Sequence, residues 1–174
     1  MRYLVHIVLI TFTVACNTQE LTHDNSSTGD STNILEKPFE QYSSIFQSIL
    51  LNESGVFRGH RFSDNYQTVL NNESPKLFEY DSTTLLIPID LDLEYSCDFE
   101  YVFERNKLSK LTCIIYTSDL SKHSVLFAEV KEYFNHKYTA QVGEKWMMGK
   151  HHQIKIKEHR LNSNQELEII FSSL

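Results

Sequence analysis

The run "TLLIPIDLDLEYSCDFEYVFERNKLSKLTCIIYT", residues 84–117, constrains the fold more than any other part of the chain. Apolar and polar residues alternate through it, and a strand shows successive side chains to opposite faces. That period suits a half-buried sheet and does not suit a helix. Turn signals divide it into three antiparallel strands, expected near 84–93, 95–104 and 107–117. Pro88 donates no backbone N–H, which implies an edge strand or a bulge in the first of them. A three-residue loop, Glu104 to Asn106, puts Asn where the backbone must turn left-handed.

In that register Phe103 pairs with Lys107 and Cys97 stands opposite Cys113. Facing residues of a non-hydrogen-bonded pair lie about 4.5 Å apart at Cα, within disulfide range. A one-residue slip would instead leave two reduced core thiols. Phe99, Tyr101, Phe103, Leu111, Cys113 and Ile115 share the apolar face, and Asp98, Glu100 and Glu104 the wet one. Lys107 and Ser109 fall on the apolar side by parity, so that face should be wet near the hairpin tip. Asp90, Asp92 and Glu94 alternate with Leu91 and Leu93 as the solvated side of the first strand.

Flanking segments carry the helical period. Phe39, Tyr42, Ile45, Phe46, Ile49 and Leu50 form one stripe after Pro38. A shorter helix starts with Ser63 as N-cap, carries Tyr66, Val69 and Leu70, and stops at Asn71-Asn72. A third has Leu126, Val130, Tyr133 and Phe134 on one face, capped by Ser118 or Ser121. It is expected to cover the apolar sheet face, since consecutive elements usually pack together. Alternation then returns: Ile154 and Ile156 share a face with Leu167, Ile169 and Phe171 only across an even loop, taken as Asn162 to Gln165. The fold expected is α+β, an antiparallel sheet of two helix-plus-meander units packed against helices.

The N-terminus differs in kind. Met1 and Arg2 precede eleven apolar-rich residues, "LVHIVLITFTV", too short for a spanning helix, which needs about 20 apolar residues, but right for a signal peptide. "TVAC", Thr13 to Cys16, resembles the lipobox of bacterial lipoproteins, in which the Cys receives the lipid and becomes the mature N-terminus. Residues 1–15 then form a signal peptide, and 16–37 a lipidated N-terminus with a polar tether reaching ~25 Å as a random coil. Residues 38–174 form a single domain. The alternative is ordinary cleavage after Ala15, leaving Cys16 unmodified.

"FRGHRFSDNYQTVLNNES", "FEYVFERNKLSKLTCIIYT" and "LFAEVKEYFNHKYTAQVGEKW" together resemble a pattern of small bacterial exported proteins and lipoproteins. The pattern is similar to the helix-plus-meander folds of beta-lactamase inhibitor protein and of the small outer-membrane assembly lipoproteins. It covers about residues 56–172. The resemblance implies the fold and brings no catalytic residue with it.

The chemistry-bearing patterns are thin. "GEKWMMGKH" has five residues between its glycines and no Ser or Thr after Lys150, so it is not a phosphate loop. It reads as a linker whose Trp146 and Met147 pack on the second meander. His151, His152 and His159 are too spread along a strand to share a metal. No cofactor and no metal site is expected. A net charge of −7 lacks the basic footprint of nucleic-acid binding. Asp90, Asp92, Glu94, Asp98 and Glu100 instead make a face for a basic protein partner. The expectation is an envelope lipoprotein, anchored to a membrane and facing the periplasm or cell exterior, that serves as a protein-binding or structural module. An inhibitor or immunity-type protein is the alternative. An enzyme would require a pocket built around His60, Arg61 and Asp64.

Overall fold

The alternating segments become one eight-stranded antiparallel sheet. The computed structural model describes residues 37–73, 79–140, 143–161 and 164–174, which belong to a compact unit of Leu35–Leu174. The leader, Cys16 and the tether to residue 36 lie outside the described residues. A 3-10 turn (Phe39–Gln41) leads into α1 (Ser44–Leu50) and α2 (Tyr66–Glu73). A first meander follows: β1 (Glu79–Tyr80), β2 (Thr84–Asp90), β3 (Tyr95–Glu104) and β4 (Lys107–Thr117). After α3 (Leu120–Lys137) comes the second: β5 (Thr139–Ala140), β6 (Lys145–Met148), β7 (His152–Leu161) and β8 (Asn164–Ser173). The fold is α+β, with the helix-plus-meander unit repeated.

The strand order β1-β2-β3-β4-β8-β7-β6-β5 is a palindrome of the two meanders. β4 and β8, the last strand of each, pair antiparallel from Lys110↔Ser172 to Thr117↔Gln165. Rows of side chains therefore run across both meanders. On the buried face one row is Leu85, Tyr101, Leu111, Phe171, Ile154 and Trp146, and the next is Ile87, Phe99, Cys113, Ile169 and Ile156. All of these are buried, and Leu126, Val130, Tyr133 and Phe134 of α3 close over them in the same cluster. Phe46, Ile49 and Leu50 of α1 join it, with Phe46 edge-on to Tyr133. The expected apolar face and its covering helix are both present.

Local chemistry moves several boundaries. Pro38 opens only the 3-10 turn, and the stripe restarts at Ser43, whose hydroxyl accepts from Phe46 N–H. Asn65, not Ser63, caps α2 by accepting from Thr68 N–H, and the helix runs through Asn71-Asn72 to Glu73. Asp119, not Ser118 or Ser121, caps α3 by accepting from the N–H groups of Ser121 and Lys122. An ionised carboxylate is the stronger acceptor and suits the positive end of a helix. "KWMM" is a strand rather than a linker, with Trp146 buried and Met147 half-buried. The β7–β8 connection is two residues rather than four: Leu161 pairs with Asn164, and positions 162–163 lie outside the described residues. Its even length keeps the expected faces. β1 reaches only Leu85 and Leu86, so among the described residues no strand pairs with β2 on that side at Pro88.

The β3–β4 hairpin corrects the cysteine pairing. Arg105 and Asn106 both take positive φ (51° and 60°), so the turn has two residues and Glu104 pairs with Lys107. This is the mirror-image turn that matches the right-handed twist of the strands. A bulge between Val102 and Phe103 then leaves Ser109 unpaired and turns Leu108 into the core. The apolar face is thus closed nearer the tip than parity alone indicates. Beyond the bulge Cys97 faces Ile115, and Cys113 faces Phe99. The two cysteines are diagonal neighbours, and both are buried free thiols. Burial, and then contact with the Cys97 thiol, holds Cys113 well above its ordinary pKa, which keeps it protonated.

Phe99→Ala should cost about 3–5 kcal/mol in urea unfolding, because it opens a cavity in the central row. Glu100→Ala, on the other face, should cost less than about 1 kcal/mol, the range of exposed ion pairs. Equal losses would contradict the assigned facing.

Candidate functional site

The acidic residues singled out by sequence collect at one end of the sheet. β2 stops at Asp90, short of residue 93, because Asp92 Oδ1 accepts from the N–H groups of Glu94 (2.7 Å) and Tyr95 (2.8 Å). Asp side chains commonly close turns in this way. Leu93 at the turn is 104% exposed, so the segment is not the strand face that its alternation suggests. Asp90, Asp92 and Glu94 line a cleft of about 280 Å³ with Tyr95, Ser96 and Tyr116. Glu94 also pairs with Lys122 of α3.

Asp98 joins this group through Tyr116, whose hydroxyl donates to Asp98 Oδ2 at 3.0 Å. Burial first, and then Asp98, pushes the Tyr116 phenol up to about 12, so it stays a donor. Glu100 stands apart, accepting from Lys110 (3.2 Å) and Thr112 (3.3 Å). Four of the five expected partner-face residues are therefore brought together, and the fifth is engaged within the sheet.

The second meander adds what the acidic pattern omitted. Rows on the open face read Asp90, Ser96, Tyr116, Glu166, His159, then Pro88, Asp98, Ile114, Glu168, Lys157. A third reads Leu86, Glu100, Thr112, Ile170, Lys155, Lys145. Acids dominate at β2 and β3 and bases at β6 and β7, with half-exposed Ile114 and Ile170 between them. Lys157 and His159 both reach Glu168, at 2.9 and 3.3 Å. Burial alone would raise the Glu168 carboxyl, but these two neighbours hold it below its ordinary value. The face is polarised rather than simply acidic. The rows could not be read from sequence because they require β4 to pair with β8.

The residues that would have marked an active site are placed differently. His60 is buried, and its Nε2 lies 3.0 Å from Glu73 Oε1. Arg58 makes a two-pronged bond to Glu73 (3.0 and 3.1 Å), and Tyr101 donates to it at 2.7 Å. Burial opposes ionisation of Glu73, yet hydrogen bonds from His60 and Arg58, the Arg58 charge and Tyr101 hold its carboxyl down at about 2. An ionised carboxylate only accepts, so His60 donates from Nε2. Asp64 accepts from Arg61 N–H and stays 3.9 Å from His60 Nδ1. Arg61 points into a separate groove. His60, Arg61 and Asp64 therefore do not form one pocket. His151 and His159 are exposed, and His152 stacks on Phe62. Among the described residues no group of three or more His, Cys, Asp or Glu could hold a metal ion. No protein-family model, no curated protein and no solved structure matches the chain.

Glu73 makes stability depend on acid. Its folded pKa lies below the ordinary 4.5, so its contribution is full above that pH and is lost as pH falls towards 2. Acid unfolding should therefore show a limb between these values that is flattened in Glu73→Gln. That variant also strands the Arg58 charge, at a cost of about 3–5 kcal/mol near neutrality. Tyr101→Phe, losing one bond to a charged acceptor, should cost about 1.5–3 kcal/mol.

Proposed function

We propose that this chain is a lipid-anchored protein of the bacterial envelope whose domain is a protein-binding module. The observation that carries the binding reading is the open sheet face: no described helix covers it, and its acids and bases are segregated about half-exposed Ile114 and Ile170. Interfaces of this kind join a less polar centre to a charged rim, and the charge steers a partner into one orientation. The partner that fits places basic residues over Asp98 and the acidic cleft and acidic residues over Lys155 and Lys157. The anchor rests on the sequence: an apolar leader ending at "TVAC", with polar residues after Cys16. No helix among the described residues is long and apolar enough to cross a membrane.

Intact-mass measurement of the mature chain should find it starting at Cys16 with a diacyl or triacyl adduct. An unmodified chain with another start would overturn the anchor. For the binding face, chemical cross-linking in envelope preparations should trap a defined partner on the wild-type chain. Asp98→Lys with Glu100→Lys should reduce that capture at least about tenfold, the scale of close interfacial charge pairs. Capture unchanged by the reversal would refute the face. A single enzyme or toxin bound at one-to-one stoichiometry and silenced by the chain would favour the inhibitor alternative.

A further inference from the structure

The opposite end of the sheet carries a second concavity, lined by different chemistry. Its volume is about 650 Å³, within the 300–1,000 Å³ typical of small-molecule sites. The wall nearest α2 is the 55–63 segment. That segment folds back on itself, with Val56 N–H bonded to His60 O and His60 N–H to Phe57 O. Gly55 at φ 71° is required there, since a Cβ would sit 2.3 Å from His60 O. The turn drives Phe57, Arg58 and His60 inward and leaves Arg61 exposed and Phe62 half-buried. Phe62 then stacks flat on His152 at the start of β7, with ring centroids 4.4 Å apart and planes 5° from parallel. Half-buried Tyr138 and Met148 complete an apolar surface.

Three cations surround it. Arg61 and the first residue of β4, Lys107, are exposed, and neither side chain has an ion-pair or hydrogen-bond partner among the described residues. Lys137, at the end of α3, donates to Glu53 O at 3.0 Å and to the Tyr133 hydroxyl at 2.6 Å and also feels the Glu53 carboxylate, so the unneutralised charges of the groove are Arg61 and Lys107. No carboxylate lines the groove among the described residues. In a chain of net charge −7, five other lysines (37, 110, 122, 131 and 157) each pair with an acid. Unneutralised cations beside a flat aromatic wall suit a ligand with one negative end and an apolar body. A charged acceptor gains about twice a neutral hydrogen bond from such donors, while the body displaces water from the rings.

We infer that this groove binds a small organic anion with an apolar body, its charge held by Arg61 and Lys107 and its body lying on the Phe62–His152 stack. The site lies beyond the proposed protein-binding face and does not depend on it. The probe is 8-anilino-1-naphthalenesulfonate, titrated by fluorescence into the full chain, with uncharged N-phenyl-1-naphthylamine as its neutral counterpart. A saturable one-to-one component is expected for the sulfonate. Arg61→Gln with Lys107→Gln should weaken it at least about tenfold, given the strength of charge-assisted bonds, while the neutral probe changes little. His152→Ala should weaken both probes, because it removes half of the stacked wall. Decanoate and 1-naphthoate as competitors distinguish an aliphatic from an aromatic body. Absence of a saturable component, equal loss of both probes in the charge variant, or displacement by neither competitor would overturn the inference. All three replaced residues are exposed or half-exposed, so an unchanged Tm separates loss of the site from loss of the fold.

Discussion

One buried carboxylate organises the helical half of this protein. Glu73 is 6% exposed at the end of α2, yet it is ionised, and its charge must be met from several directions. Arg58 and His60 come from the preceding turn and Tyr101 from the centre of β3. Arg58 also donates to the carbonyls of Ser48 and Ile49 and lies over the Phe99 ring, which ties α1 to the same point. A buried ion pair adds little net stability over an apolar replacement, but breaking one is costly. Its effect is therefore to exclude other arrangements of α1, α2 and the turn between them. Arg58 accepts a positive φ of 52° to take part, and that local strain is offset by the bonds it makes.

The orientation of the turn sets the outer surface as well. Because Arg58 and His60 face Glu73, Arg61 is left exposed and Phe62 half-buried on the outer side of the turn, beside residues contributed by β4, β6, β7 and α3. The cationic groove thus follows from the buried carboxylate, although no residue of the network lines it. At the far end of the sheet the Asp92 turn has a comparable role, holding Asp90 and Glu94 around the acidic cleft. The domain carries unlike chemistry at its two ends and a polarised face between them.

The palindromic strand order accounts for that face. Joining β4 to β8 brings the acid-rich first meander into one sheet with the lysine-rich β7, so that the row through Asp98 reaches Lys157 and the row through Glu100 reaches Lys155. Ile114 and Ile170 stand at diagonal positions across the seam and give the face a less polar middle. Neither property belongs to any single segment of the chain.

Alternation was enough to assign strand identity over 84–90 and 95–117 and facing away from the hairpin tip, and the helical stripe around Val130 was enough to identify its cover. These readings survive because side-chain facing depends only on parity. Beyond the bulge the true register differs from the expected one by two residues, which leaves those side chains on their assigned faces while separating Cys97 from Cys113; at the tip it differs by one, and Leu108 rather than Lys107 and Ser109 turns inward. The acidic residues could be read as a group for the same reason: they are neighbours in sequence. Register itself was decided by the Arg105–Asn106 turn and the bulge at Ser109, where backbone twist and the burial of Leu108 outweigh local pattern. In "NNES" Glu73 looks like any surface acid, and only the convergence of Arg58, His60 and Tyr101 makes burial of its charge tolerable. Arg61, Lys107 and His152 are likewise unrelated until the chain is folded. Sequence by itself determined what depends on near neighbours and parity, and tertiary structure decided the rest because buried charge and shared surfaces need partners from distant segments.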